Sequence, residues 1–170
     1  ATAAKLTEET AARERKEAAL RETERELAEE AARSVSLAAA AAREQEAAFR
    51  ASLGAPLGEL ERAARIFGQA RAEIAALRDV TALIYVSQAR VLAEEAEEKA
   101  RALREREEGE RQQYADRLVR AGDFFLAGAQ SLRNAVVYLE SRGAEFEKHE
   151  REGSEAISEG SALIAQVRRY

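Results

Sequence analysis

Residues 60–91 read LERAARIFGQARAEIAALRDVTALIYVSQARV, and their periodicity decides the fold class. In alternating steps of three and four the stretch yields Leu60, Ala63, Phe67, Ala70, Ile74, Leu77, Thr81, Ile84, Gln88 and Val91. All but Thr81 and Gln88 are apolar. That spacing is the inward seam of a long amphipathic helix. Around Val80–Val86 the pattern widens until nearly every side is apolar. A helix apolar all round has to be covered from more than one direction. The stretch therefore predicts a central helix with a partner on each flank.

Composition agrees with a helical chain. Alanine (40 residues) and glutamate (29) dominate the 170 residues, charged side chains reach 35%, and there is one proline. Ala, Glu, Arg and Leu are strong helix formers, and their joint excess marks long helices or coiled coil. Aromatic residues make only 5% of the chain, which leaves little bulk for a thick core. Small alanines instead let helices approach along thin seams. The expected fold is all-α, an elongated antiparallel three-helix bundle or coiled-coil rod.

Outward from the seam, residues 1–53 read as one helix. Its apolar marks are Leu6, Leu20, Leu27, Ala31, Val35, Ala38, Ala42, Phe49 and Leu53, sparse before Leu27. Gly54-Ala55-Pro56-Leu57-Gly58 looks like a break. Gly54 suits the left-handed position after a helix, and Pro56 the first turn of the next. A second turn falls near Gly109 or at Gly122-Asp123. Folding about residue 109 or 110 sets Leu139 near Thr81, Phe146 near Ile74 and Gly153 near Phe67, apolar against apolar, and is preferred. Gly122 then marks a kink. Gly143, Gly153 and Gly160 lie on the third seam, where they permit close backbone approach. The expected organisation is a single extended bundle over 1–170, with helices at about 3–53, 57–107 and 111–168. Three helices of about fifty residues, at about 1.5 Å each, make a rod on the order of 75 Å long.

Charge and chemistry exclude several function classes. The net charge is −5 and the pI near 5.3. Affinity for nucleic acid comes mainly from neutralised phosphates, so no nucleic-acid partner is expected. The absence of cysteine removes disulfides, thiolate metal sites and cysteine nucleophiles. The one histidine, His149, has Phe146 three residues before it, where a di-metal bundle needs glutamate. It reads as a surface residue. Asp79, Asp116 and Asp123 read as surface or capping groups. The clusters Glu94-Glu95 and Glu97-Glu98 read as solvated helix face. Tyr85, Phe124, Phe125 and Tyr138 read as core. No catalytic, cofactor-binding or metal-binding residue is assigned, no cofactor is expected, and the chain does not read as an enzyme. The polar stretch 104–113 is the most exposed part of the rod if it forms a tip, and merits a partner reading.

The Ala/Glu dominance, the lack of cysteine and the long helical hairpin with a third helix together resemble the glutamic acid/alanine-rich protein of the trypanosome surface coat. The resemblance spans the whole chain and rests on no short motif, so no site residues carry over. It implies a cell-surface structural coat protein forming a dense protective layer. Such a protein is held by a lipid (GPI) anchor lying outside this chain. It implies neighbouring copies as partners, with host or vector factors at the outer end, and no membrane contact except through the anchor. The alternative is a cytoplasmic coiled-coil adaptor or export chaperone, which requires an exposed apolar stripe for a partner helix. A third reading is a bundle that opens to bind lipid or a small molecule.

Overall fold

The computed structural model describes residues 2–170, with side chains from Lys5 onward. Among the described residues it is all-α, with four helices: α1 (Thr2–Ala75), α2 (Asp79–Arg106), α3 (Gly109–Val137) and α4 (Ala144–Arg168). The chain divides into two units, 1–48 and Phe49–Tyr170.

The expected helix boundaries need three corrections. The first concerns Gly54–Gly58, which is no turn: α1 runs through it with Pro56 inside the helix. A helix-interior proline costs about 3 kcal/mol or more. Here its ring is fully buried on an unbroken seam of Phe49, Leu53, Pro56, Leu60, Ala63, Phe67, Ala70 and Ile74. Ending the helix at Gly54 would break that phase. Seam continuity outweighs the local Gly/Pro signal.

The second correction lies inside the stretch first quoted. The chain reverses at residues 76–78, so the ten-position seam is two seams. Its first five positions, Leu60 to Ile74, are buried, while Ile84 and Val91 are 51% exposed. Leu77 adopts a left-handed φ of 60°. Its N–H donates to the Ile74 carbonyl at 3.1 Å, and the Arg78 N–H donates to the Glu73 carbonyl at 2.9 Å. These are the paired bonds of a Schellman stop. Without glycine, the left-handed residue costs about 1–2 kcal/mol, and nothing in the composition announces it. Beyond the turn α2 buries Ala82, Val86, Ala89, Ala93, Ala96, Ala100 and Leu103, an alanine stripe. Val80 is 65% exposed and Leu83 36%. The patch Val80–Val86 is therefore covered on one side only, and this stretch is no central spine.

The third correction splits the expected helix 111–168. It ends at Val137 and resumes at Ala144, with Arg142 at φ 44° in between. Gly122 produces no break in α3. The turn between α2 and α3 is at Glu107–Glu108, beside Gly109, whose φ is 61°.

Within Phe49–Tyr170 the helical segments pack antiparallel into a bundle. Arg104 meets Asp116 at 3.1 Å and Arg101 meets Asp123 at 3.6 Å between α2 and α3. Arg71 meets Glu150 at 3.4 Å, and Arg168 donates to Glu61 at 2.9 Å, between α1 and α4. Helices α3 and α4 touch through glycine. A Cβ added at Gly160 would lie 2.5 Å from Phe125 Cε1, and one at Gly153 would lie 2.9 Å from Leu132 Cδ2. The expected contact of glycine with bulky residues holds, but the partners sit on α3, because the chain reverses at 138–143. Gly143 lies in that turn with open space around it. The Phe125 ring also meets Phe67 of α1 edge-on at 5.6 Å.

In the first unit, residues 2–48 form one helical stretch. Glu17–Arg21 at 4.0 Å and Arg25–Glu29 at 3.1 Å are pairs four residues apart. Each such pair adds about 0.3–0.5 kcal/mol to a helix. Strong helix formers and these pairs, rather than burial, favour helix here.

Candidate interaction surfaces

Three surfaces stand out, each built from different chemistry. The first is the apolar stripe of the unit 1–48. Leu6, Leu20, Leu27 and Val35 share one face and are 61–70% exposed, and Leu37, on another face, is 72% exposed. From Lys5 to Ala48 no residue is buried. Single exposed leucines are ordinary; a leucine series on one helix without a buried member is not. Ser34–Ala42 carries no charge over more than two turns, which removes the usual solvating shell from that part.

The second surface is the bundle end where the α1–α2 and α3–α4 turns meet. Leu77, Leu83, Val136, Val137 and Leu139 line a cleft of about 650 Å³. Asp79 and Glu140 balance Arg133 and Arg142 at its rim. Arg142 is held there by a 3.5 Å bond to the Ala75 carbonyl and by lying over the Phe146 ring.

The third surface is the opposite bundle end, at the α2–α3 turn singled out in the sequence. Arg104, Gln112, Gln113, Asp116, Arg117 and Arg120 line a depression of about 400 Å³. Beside it lies an aromatic cluster that no spacing in the sequence foretells, because its members are far apart in the chain. The Tyr114 and Tyr170 rings are 4.1 Å apart, and Phe49 meets Tyr170 edge-on at 5.6 Å. Arg117 lies 4.9 Å over the Tyr114 ring and Arg50 lies 5.2 Å over Tyr170.

The residues weighed for chemistry fall elsewhere and do not converge. His149 is not a plain surface residue: its side chain is 17% exposed and stacks on Tyr138 at 5.8 Å. Glu145 and Glu152 flank it at 3.6 Å each. Glu94 pairs with Arg90 at 2.8 Å. Glu97, expected on a solvated face, is buried and bonds Arg101, and a Cβ on Gly122 would come within 2.9 Å of its Cβ. Gly122 thus serves close α2–α3 approach rather than a kink. Phe125 is buried as expected, while Tyr138 is 39% exposed. Lys99 reaches across from α2 to bond Glu59 of α1. That bond, aided by the Glu59, Glu95 and Glu98 charges against the cost of burial, raises the Lys99 ammonium above the ordinary lysine value. The other Glu59 carboxylate oxygen is buried without a hydrogen bond. Among the described residues no group of three or more His, Cys, Asp or Glu is placed to hold a metal ion, and no helix is long and apolar enough to cross a membrane. No protein-family model, no curated protein and no solved structure matches the chain.

Proposed function

We propose that the protein is a non-catalytic assembly module that uses its 1–48 helix to pair with a helix of another chain. The observation that carries this reading is the exposed series Leu6, Leu20, Leu27 and Val35, which share one face of the helix. Burying four such side chains is worth at most about 6–12 kcal/mol gross. Association itself costs about 4–15 kcal/mol. The balance favours a reversible pairing over a permanent one, as suits an adaptor. The partner is a helix of matching apolar stripe, with Glu and Arg flanks against those of this chain.

The surface-coat reading stands second. Cysteine-free helices with an acidic, Ala/Glu-rich surface favour it, because side-by-side packing needs small residues and a charge that resists indiscriminate adhesion. On that reading the protein is held by a lipid anchor, and neighbouring copies cover the stripe.

Sedimentation equilibrium over a wide concentration range tests both readings. The adaptor reading expects a monomer that forms a complex with a leucine-striped helical partner. The coat reading expects self-association. In either case Leu20→Ser with Leu27→Ser and Val35→Ser abolishes the association while the thermal transition of the bundle stays in place. If the triple variant associates as the parent does, the stripe is not the assembly surface.

A further inference from the structure

We infer that the depression at the α2–α3 end of the bundle is a binding site for a compact phosphate-type anion. Four features of that depression carry the inference. First, its sign opposes that of the molecule: the chain carries −5 overall, yet three guanidinium groups and one carboxylate line this concavity. Second, the single carboxylate is already spent. Asp116 pairs with Arg104 at 3.1 Å. Among the described residues neither Arg117 nor Arg120 has a carboxylate partner, so two cations face one depression without compensation. Like charges brought together in this way repel, and an anion between them relieves the repulsion.

Third, the donors are oriented. The Arg117 guanidinium carbon lies 4.9 Å over the Tyr114 ring, which packs on Tyr170. That cation–π contact holds the guanidinium beside the depression it lines, and a guanidinium fork suits bidentate recognition of a tetrahedral oxyanion. Gln112 is likewise tied down, its amide donating to the Arg104 carbonyl at 3.3 Å. Gln113 adds a neutral amide donor to the lining. Fourth, the volume of about 400 Å³ falls in the range of small-molecule sites. It exceeds what one phosphate fills and admits a diphosphate or a phosphorylated headgroup.

Nothing in this inference depends on what covers the 1–48 stripe, so the two readings fail separately. The test is calorimetric titration of the full chain with inorganic pyrophosphate in a phosphate-free, low-salt buffer. A parallel flotation assay uses neutral phosphatidylcholine vesicles with and without a phosphoinositide. Saturable binding of pyrophosphate, with no capture by phosphoinositide vesicles, assigns the site to a free anion. Phosphoinositide-dependent capture that pyrophosphate competes away assigns it to a lipid headgroup. Either outcome requires that Arg117→Gln with Arg120→Gln weaken binding about tenfold or more, as expected for losing charge-assisted hydrogen bonds. Arg65→Gln, an exposed change elsewhere on the bundle, leaves it unchanged. Circular dichroism confirms that each variant is folded. No saturable binding in either assay, or an unchanged affinity in the double variant, overturns the inference.

Discussion

The unit 1–48 and the unit 49–170 are written in the same alphabet of alanine, glutamate, arginine and leucine, and they meet opposite fates. In the bundle, every third or fourth residue of α1 from Phe49 to Ile74 is buried. From Lys5 to Ala48 none is. Helix propensity does not separate the two, because both are helical and both are rich in strong formers. The difference lies in what fills the seam. The bundle sets Phe67 and Phe125 edge to face and slots Gly160 beneath Phe125. The first 48 residues offer a leucine only every two to four turns, at Leu6, Leu20, Leu27 and Leu37. Alanine seams become a core only where large rings and close backbones meet them.

Core truncation gives the widest contrast. Phe125→Ala should cost about 3–5 kcal/mol in urea unfolding, whereas Leu27→Ala should stay within about 0.5 kcal/mol in the unpartnered protein. Equal losses would mean that the 1–48 helix is packed after all. Overfilling comes next. Gly160→Val places carbon against Phe125 and against the Ala121 carbonyl, 3.1 Å from its Cβ. A loss of about 1–3 kcal/mol follows, while Ala40→Val on the exposed helix changes stability little.

The former break at Gly54 supplies a change of opposite sign. Nothing lies within 4 Å of a Cβ added there. Gly54→Ala should stabilise the helix by about 1 kcal/mol, which raises Tm by about 2–4 °C for a chain of this size. A fall in Tm would restore the left-handed turn that the bare sequence suggests. In the first unit, Glu29→Gln removes a pair with Arg25. The expected loss is about 0.3–0.5 kcal/mol of helix stability, read as reduced helicity at low salt and unchanged helicity at high salt.

The pH effect is the smallest. Because Lys99 is raised in the folded state by its bond to Glu59, its contribution is fully present below the unfolded lysine value. It is lost as pH rises through the folded one. Tm should therefore begin to fall above about pH 10, and Lys99→Met should flatten that part of the profile. A flat profile in the parent would mean that the bond does not persist in solution.

Several elements were legible in the residues. The helical class followed from composition and period, and the seam Leu60–Ile74 from spacing. The turn beside Gly109 came from matching two seams. The use of Gly153 and Gly160 for close approach came from their place on a seam. What misled was local punctuation. Gly54, Pro56 and Gly58 look like a hairpin, and the true reversal at Leu77 has no glycine to mark it. The split of the third helix at 138–143 was hidden differently: Gly143 stands in that turn, but its place on the third seam reads as helix, and the left-handed φ falls on Arg142 instead. At the α2–α3 end, residues 104–113 already stood out as a polar tip. Arg117, Arg120 and the Phe49–Tyr114–Tyr170 cluster did not, because residues far apart in the chain share no period.

By itself, then, the sequence determined that this protein is helical, which faces of its helices are apolar, and where small residues allow backbones to approach. Those properties are local: they depend on propensity and on neighbours three and four residues away. Only the tertiary structure decided where the helices end, which apolar faces find partners, and which arginines share a depression. A turn such as Leu77, and a proline retained inside α1, each carry a local cost. Contacts between residues distant in the chain offset it, and no window of sequence contains those contacts.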